Sequence, residues 1–379
     1  MARQSWTAFA SCCSAAPTIP LLLSLVASAP AQAGALPQTS QMTVAPVVSA
    51  VTPGVVSITT QGAKAGSSLM HGPAPSQEFG PPNGPPRRGM GTAGSGVIVD
   101  AEHGYVLTNA HVVDGATLIE VTTRDTRRFK AELVGRDPET DLAVLRINAD
   151  QLTAVPLGNS DEAQVGDFVL AVGNPFGLGQ TVTSGIVSAL GRTGVVGAGA
   201  GYEDFIQTDA SINPGNSGGA LVTLDGRLIG INTAIFSRSG GNIGIGFAVP
   251  INMAKSVVAQ IVAHGEVKRG RIGVLVQDVT PELAQTLGVE RRGAVVSDLK
   301  PGSPAARAGF AKGDVVVAID NTPIRDASHL RNLLGLKPVG STIEVTSWRK
   351  GAPAKTVSVP IEPGPAATAI GKRRSISPG

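Results

Sequence analysis

From Gly96 to Val249 short apolar runs alternate with turn signals. Gly96-Val97-Ile98-Val99, Leu142-Ala143-Val144-Leu145, Phe168-Val169-Leu170-Ala171-Val172 and Leu228-Ile229-Gly230-Ile231 are examples. Many short strands at close spacing predict an all-β sandwich or a pair of barrels. Val51 to Thr60 has the same β-rich pattern and starts the ordered region. The period then changes. Ile251 to His264 sets apolar residues at 253, 257, 258, 261 and 262, one face of a helix, which closes a first domain.

A second unit runs from about Lys268 to Glu362. Strands at 272–276, 294–299, 315–319, 342–348 and 356–360 are interspersed with helices at 281–287, 304–308 and 327–334. That order predicts a small α+β module. Between and around the two units the pattern weakens. Residues 34–50 are polar and Pro/Ala-rich and predict an unpacked segment; 62–94 is Gly/Pro-rich and predicts a mobile loop; 363–379 predicts a disordered tail. The domain expectation is therefore a leader at 1–33, a first domain at 51–265 and a second at 268–362.

Composition narrows the packing. Of 379 residues 42% are hydrophobic but only 3% aromatic, with 48 Gly and 27 Pro, so the cores rely on Val, Ile, Leu and Ala. That mix favours strands and turns over long helices. The net charge is +3 with no long single-sign block, which weighs against nucleic acid as a partner. Lys372-Arg373-Arg374 reads as a solvated tail. Arg3, the apolar stretch Ile19 to Val26 and Ala31-Gln32-Ala33 together read as an export signal cut near Ala33. Its apolar core falls short of the roughly 20 residues that span a bilayer, so no stable membrane span is expected after cleavage. Cys12 and Cys13 both lie in this leader, and the mature chain needs no disulfide. No metal or cofactor is expected.

Candidate chemistry begins at Ile212-Asn213-Pro214-Gly215-Asn216-Ser217-Gly218-Gly219. Such a loop can expose a serine hydroxyl while its N–H groups turn toward a common point, as an acyl-transfer nucleophile requires. Alone it reads more often as just a tight turn. Of five histidines, His71, His103, His264 and His329 have ordinary local explanations. His111 follows the apolar strand Tyr105 to Ala110 and can project into a cleft, or can be a buried hydrogen-bonded histidine. Asp141 precedes Leu142-Ala143-Val144-Leu145 and is drawn to the core edge; Asp137, before Pro138, reads as a turn residue and Asp209 as a loop-stabilising carboxylate. The order His111, Asp141, Ser217 is one of the triad orders and occurs on double β-barrels.

Thr108-Asn109-Ala110-His111-Val112-Val113, Thr140-Asp141-Leu142-Ala143-Val144 and Gly215-Asn216-Ser217-Gly218-Gly219-Ala220-Leu221 resemble the HtrA/Deg family of serine proteases. Gly173-Asn174-Pro175-Phe176-Gly177 and Gly244-Ile245-Gly246-Phe247-Ala248-Val249-Pro250 resemble it too, so the likeness covers roughly 50–362. It implies a mainly β fold, a chymotrypsin-like pair of six-stranded β-barrels followed by one PDZ domain. It implies Ser217 as nucleophile, His111 as general base and Asp141 as its orienting acid. Gly215 and Ser217 are implied as oxyanion donors. Ile212, Phe236 and Ile245 are implied as an apolar pocket for small aliphatic residues, and Arg271-Ile272-Gly273-Val274 as a loop that receives a peptide carboxylate. Arg192 is implied as an activation relay beside a sensor loop at 193–201; its plain alternative is a surface salt bridge. The implied activity is ATP-independent cleavage of misfolded envelope proteins in the periplasm, regulated by C-terminal peptides. A chaperone-like binder and a stress-sensor protease are the alternatives. A single PDZ unit puts a large cage in doubt and leaves a homotrimer, or a multiple of trimers, as the expected assembly.

Overall fold

The computed structural model describes residues 43–62, 93–174, 179–195, 202–213, 215–235, 242–289 and 292–364. The expected leader, residues 63–92 of the expected mobile loop and the tail past 364 lie outside them. The first element corrects the expectation of an unpacked segment at 34–50. Residues Ala45–Val51 form helix α1, with proline in the first turn, where its missing N–H has no helical partner to lose. Val51 is buried, and Val47 and Val48 pack on the main core. The Pro/Ala-rich composition hid that apolar face.

The first sheet contains β1 (Val55–Gln61), β2 (Ala93–Asp100), β3 (Tyr105–Thr108), β4 (Leu118–Thr122), β5 (Arg128–Lys130), β6 (Glu132–Asp137) and β7 (Leu142–Arg146). A one-turn helix, α2 (Ala110–Val113), follows β3. The strand order is β5-β4-β1-β2-β3-β7-β6, so seven segments stand where six strands were expected. The two edges, β5 and β6, are separated by Ala131 alone. Ala131 is buried and its N–H bonds the Ile119 carbonyl at 2.9 Å. Counted as one strand bent at Ala131, the set has six members. Ala93 and Gly94, expected in the mobile loop, belong to β2.

The second barrel is closed. β8 (Phe168–Gly173), β9 (Thr181–Arg192), β10 (Phe205–Thr208), β11 (Ala220–Thr223), β12 (Leu228–Ile235) and β13 (Gly246–Pro250) run in the order β10-β13-β12-β11-β8-β9. The largest apolar cluster lies between the barrels. On β7, Leu142 and Val144 face it, while Ala143 and Leu145 fill the first barrel. On β8, Leu170 and Val172 face it, while Val169 and Ala171 fill the second. Successive side chains on a strand point to opposite faces. Strands buried on both faces must therefore be apolar at every position, which is why these runs do not alternate. Helix α3 (Ile251–His264) seals the same cluster with Ile251, Met253, Ala254, Val257 and Ile261; Val262, expected on that face, is exposed. Gly265 ends it at φ 76°, its N–H returning to the Ile261 carbonyl at 2.7 Å, the left-handed cap that favours glycine.

The C-terminal module contains β14 (Gly270–Arg271), β15 (Val274–Asp278), α4 (Pro281–Leu287), β16 (Ala294–Leu299), α5 (Pro304–Arg307), β17 (Val315–Ile319), β18 (Thr322–Pro323), α6 (Ala327–Leu336), β19 (Thr342–Trp348), β20 (Lys355–Pro360) and β21 (Glu362–Pro363). The main path is β15-β16-β17-β19-β20, with β18 on β17 and a separate β14–β21 pair. Pro363, expected in a disordered tail, pairs with Gly270. Thr280, Ser303 and Asp326 cap the three helices through their side-chain oxygens.

Arg269 lies just before β14 and ties the module to the first barrel. Its guanidinium pairs with Asp137 and, at 3.0 Å, with Glu139, and lies 4.1 Å over the Tyr202 ring. Asp137 corrects the reading as a simple turn residue: its side chain is 7% exposed and also accepts from Thr140 Oγ1 at 2.6 Å. Removing one partner of a buried pair leaves the other charge uncompensated and costs about 3–5 kcal/mol. Arg269→Ala is therefore expected to lose about 3 kcal/mol or more of unfolding free energy in urea titration, and the double variant with Asp137→Asn to recover part of it.

Candidate active site

Asp141 adopts φ 55°, the left-handed region that short polar side chains tolerate and most others avoid. Four groups hold it there. Its carbonyl accepts from the Ala110 N–H at 3.1 Å and from Asn109 Nδ2 at 3.0 Å. Its carboxylate accepts the His111 N–H at 3.0 Å on Oδ1, and Thr233 Oγ1 at 2.6 Å on Oδ2. Oδ2 also lies 2.7 Å from His111 Nδ1. A carboxylate acceptor places the neutral imidazole's proton on Nδ1, leaving Nε2 as a base.

The imidazole is 19% exposed and the carboxylate 12%. Burial pushes the His111 pKa down, but the charge of Asp141 and its hydrogen bond outweigh burial and hold it above the ordinary histidine value. The imidazolium that forms when His111 takes a proton is thereby stabilised in place.

Ser217 stands in a turn at 215–218, half-buried. Its hydroxyl donates to the Thr233 carbonyl at 3.3 Å and makes no hydrogen bond to His111. Thr233, on β12, thus touches the carboxylate with its side chain and the serine with its backbone. The sequence reading missed it, because nothing near Thr233 in the chain marks it. Gly215 at φ 102° and Gly218 at φ 82° flank the serine. A Cβ at Gly218 would collide with the Ser95 carbonyl and the Thr108 hydroxyl, so that position needs glycine. Among the described residues, neither the Gly215 nor the Ser217 N–H has an acceptor.

The other expected site residues are less concentrated. Ile212 is 1% exposed within the second-barrel core, Ile245 is partly buried, and Phe236 lies outside the described residues. Arg192 donates from Nε to Gln207 Oε1 at 2.8 Å and has no salt bridge among the described residues; 196–201 of the expected sensor loop lie outside them. Asp209 accepts the Ile186 N–H at 2.7 Å, the loop-stabilising role expected of it. Among the described residues no group of His, Cys, Asp and Glu could hold a metal, and no helix is long and apolar enough to cross a membrane.

Residues 94–231 match the trypsin-like peptidase domain family and 270–361 the PDZ domain family. The periplasmic serine endoprotease DegP of Escherichia coli K12 is 53% identical over 71% of this chain and 56% of its own length. The chain thus spans about half of that relative. The periplasmic pH-dependent serine endoprotease DegQ of the same organism is 44% identical, over 86% of this chain and 72% of its own. The HtrA-type protease AlgW, solved with a tripeptide, superposes with a TM-score of 0.64 at 45% identity, covering 85% of this chain and 98% of that one. The chain belongs to the HtrA family of serine proteases.

In this HtrA-type chain the loop Arg271 to Val274 is shaped by its neighbours. Arg271 is exposed, Ile272 is buried, and Gly273 at φ 81° precedes β15, which starts at Val274, two residues later than expected. The Gly273 carbonyl takes the Lys300 N–H at 2.9 Å. β15 ends the sheet order and carries Leu275, 63% exposed. The same module touches the segment just before β10, the strand paired with that of Arg192: Asn332 Nδ2 donates to the Glu203 carbonyl at 2.7 Å, and Arg325 pairs with Asp204. Burial raises the Asp204 pKa to about 6 despite that arginine. The sequence reading picked out none of these contacts.

The His111 titration gives a direct check of the acid–imidazole geometry. By 15N NMR of the side chain its midpoint is expected above about 6.5 in the parent chain. In Asp141→Asn, burial remains and the opposing charge is gone, so the midpoint should fall below that value; a midpoint unmoved by the substitution would contradict the pairing.

Proposed function

We propose that this chain is a serine endopeptidase that hydrolyses peptide bonds through an acyl-enzyme on Ser217. The observation that carries the reading is the joining of Asp141, His111 and Ser217 through Thr233 at the junction of two barrels. In the reaction Ser217 Oγ leaves the Thr233 carbonyl, passes its proton to His111 Nε2 and attacks the substrate carbonyl carbon. The Gly215 and Ser217 N–H groups receive the oxyanion. Collapse breaks the C–N bond as His111 returns the proton to the leaving amine. Water repeats the sequence on the ester and frees Ser217. Asp141 stays ionised throughout and holds the imidazole.

Ile212, Ile245 and Phe236 form the proposed substrate pocket, apolar and without a carboxylate, which suits small aliphatic residues before the scissile bond. The proposed substrates are misfolded envelope proteins, cut without ATP. The periplasmic relatives and the leader pattern, cut near Ala33, support an envelope location. A homotrimer is the proposed assembly. The C-terminal module, proposed to span 268–362, takes a C-terminal peptide along the open edge of β15, with its carboxylate at Arg271 to Val274, the strand-addition mode such edges serve. Contacts of Asn332 on α6 and of Arg325 just before it with residues 203–204, beside Arg192, supply a route from that groove toward the Ser217 loop. The resting hydroxyl, hydrogen-bonded to Thr233 and not to His111, also favours a second reading in which substrate capture outweighs cleavage until the loop is ordered.

Ser217→Ala is expected to reduce casein cleavage by roughly 10⁴-fold or more, to the level left by binding and oxyanion contacts. Retained cleavage would sink the triad. If the module regulates the site, adding a peptide with a free C-terminal carboxylate should raise the cleavage rate saturably, whereas its amide-capped form should not. A flat titration with both would remove the regulatory part and leave the hydrolase.

A further inference from the structure

Ser95 sits on β2, in the first barrel, fully buried, and every polar atom it owns is engaged at the nucleophile loop or beside it. Its N–H donates to the Ser217 carbonyl at 2.8 Å. Its hydroxyl donates to the Gly215 carbonyl at 2.5 Å and accepts the Asn174 N–H at 2.8 Å. Its carbonyl accepts from Thr108 Oγ1, on the strand that leads to His111, at 2.7 Å.

A hydroxyl has one proton and two acceptor sites. With the Asn174 N–H occupying an acceptor site, the single proton is directed to Gly215. Gly215 and Ser217 are thus both gripped by one residue of the opposite barrel. Between them the Asn216 N–H turns away to the Asn213 carbonyl at 3.0 Å. Gly215 has no side chain to restrict it and sits at φ 102°, and the peptide that follows it is held at its oxygen by Ser95 and at its N–H by the Asn213 carbonyl. Fixing the Gly215 and Ser217 carbonyls fixes the backbone between two donors whose usefulness depends on aiming at one point.

We propose that Ser95 is a positioning residue for the oxyanion site: its hydroxyl, aimed by the Asn174 N–H, holds the Gly215 carbonyl and its own N–H holds the Ser217 carbonyl, setting the backbone between the Gly215 and Ser217 N–H groups so that the two converge. This rests on the reading of Ser217 as the nucleophile. It gives the Gly173-Asn174 pair a task that the triad alone leaves unassigned: Asn174 orients the hydroxyl that orients the loop. Ser95 touches no substrate; it acts through Gly215.

The test compares the full chain with Ser95→Ala, Ser95→Thr and Ser217→Ala, using a peptide p-nitroanilide ending in valine and the matching peptide boronate, a tetrahedral mimic. Losing a whole oxyanion donor costs roughly 10²–10³ in kcat, so loosening both is expected to lower the Ser95→Ala kcat by roughly 10–100-fold. KM should stay within about 3-fold, boronate affinity should fall by the same factor as kcat, and the acid limb of the pH profile, set by His111, should not move. Ser95→Thr keeps the hydroxyl and should recover most of the loss. The proposal is overturned if Ser95→Ala turns over and binds boronate like the parent while Ser217→Ala is dead. It is equally overturned if Thr and Ala lose kcat alike, or if the loss appears in KM or in the pH profile. If Ser95→Ala fails to fold by urea titration, Ser95→Cys, whose longer and weaker thiol cannot serve both partners, takes its place under the same criteria. Activity persisting in Ser217→Ala would instead overturn the nucleophile assignment, and this proposal with it.

Discussion

The structure depends on one carboxylate placed between two barrels. Asp141 is forced into a left-handed backbone conformation, a cost of about 1–2 kcal/mol for most residues. It is kept there by bonds from Asn109, Ala110 and His111 on one side and Thr233 on the other. The first three belong to the first barrel and its helix, the last to the second. Asp141 is therefore both the orienter of His111 and a polar pin through an otherwise apolar junction. A buried carboxylate needs that many donors. The same donors fix which of its oxygens faces the imidazole.

Around that pin the junction is built from strands that are apolar on both faces, Leu142 and Val144 turned one way and Ala143 and Leu145 the other. The polar site is thus set in a dry wall, where hydrogen bonds are stronger and unpartnered groups costlier than in water. Arg269 and Asp137 extend the polar network outward from the same turn to the C-terminal module. The loop that carries Asp141 and the linker that carries the module share a single buried ion pair.

Much of this was legible along the chain. Helix α3 was readable to both ends, because a 3.6-residue apolar period and a terminal glycine are local signals. The pairing of His111 with Asp141 was legible because each sits in a distinctive local context, and the roles proposed for these two and Ser217 rest on the same contexts and their order. The family resemblance was legible for the same reason. The expected six strands per barrel hid the bend at Ala131, since a one-residue corner in a buried strand leaves no turn signal. Helix α1 was missed because its valines were read through the prolines and alanines around them. Thr233, Ser95, Arg269 and Asp204 were missed for a deeper reason. Their partners lie 92, 120, 132 and 121 residues away. Their roles exist only after the barrels and the module have met, and no local pattern records that meeting.

The split of the site across the barrels has a consequence for the life of a newly made chain. A molecule with only its first barrel formed holds His111 against Asp141 but has no ordered serine. One with only its second holds the serine on Thr233 but has no base. Ser95 and Thr233 close the constellation from opposite sides, so the full geometry needs both barrels together. On the proposed reading, a nascent chain lacks the complete set of His111, Asp141 and Ser217 until both barrels are in place.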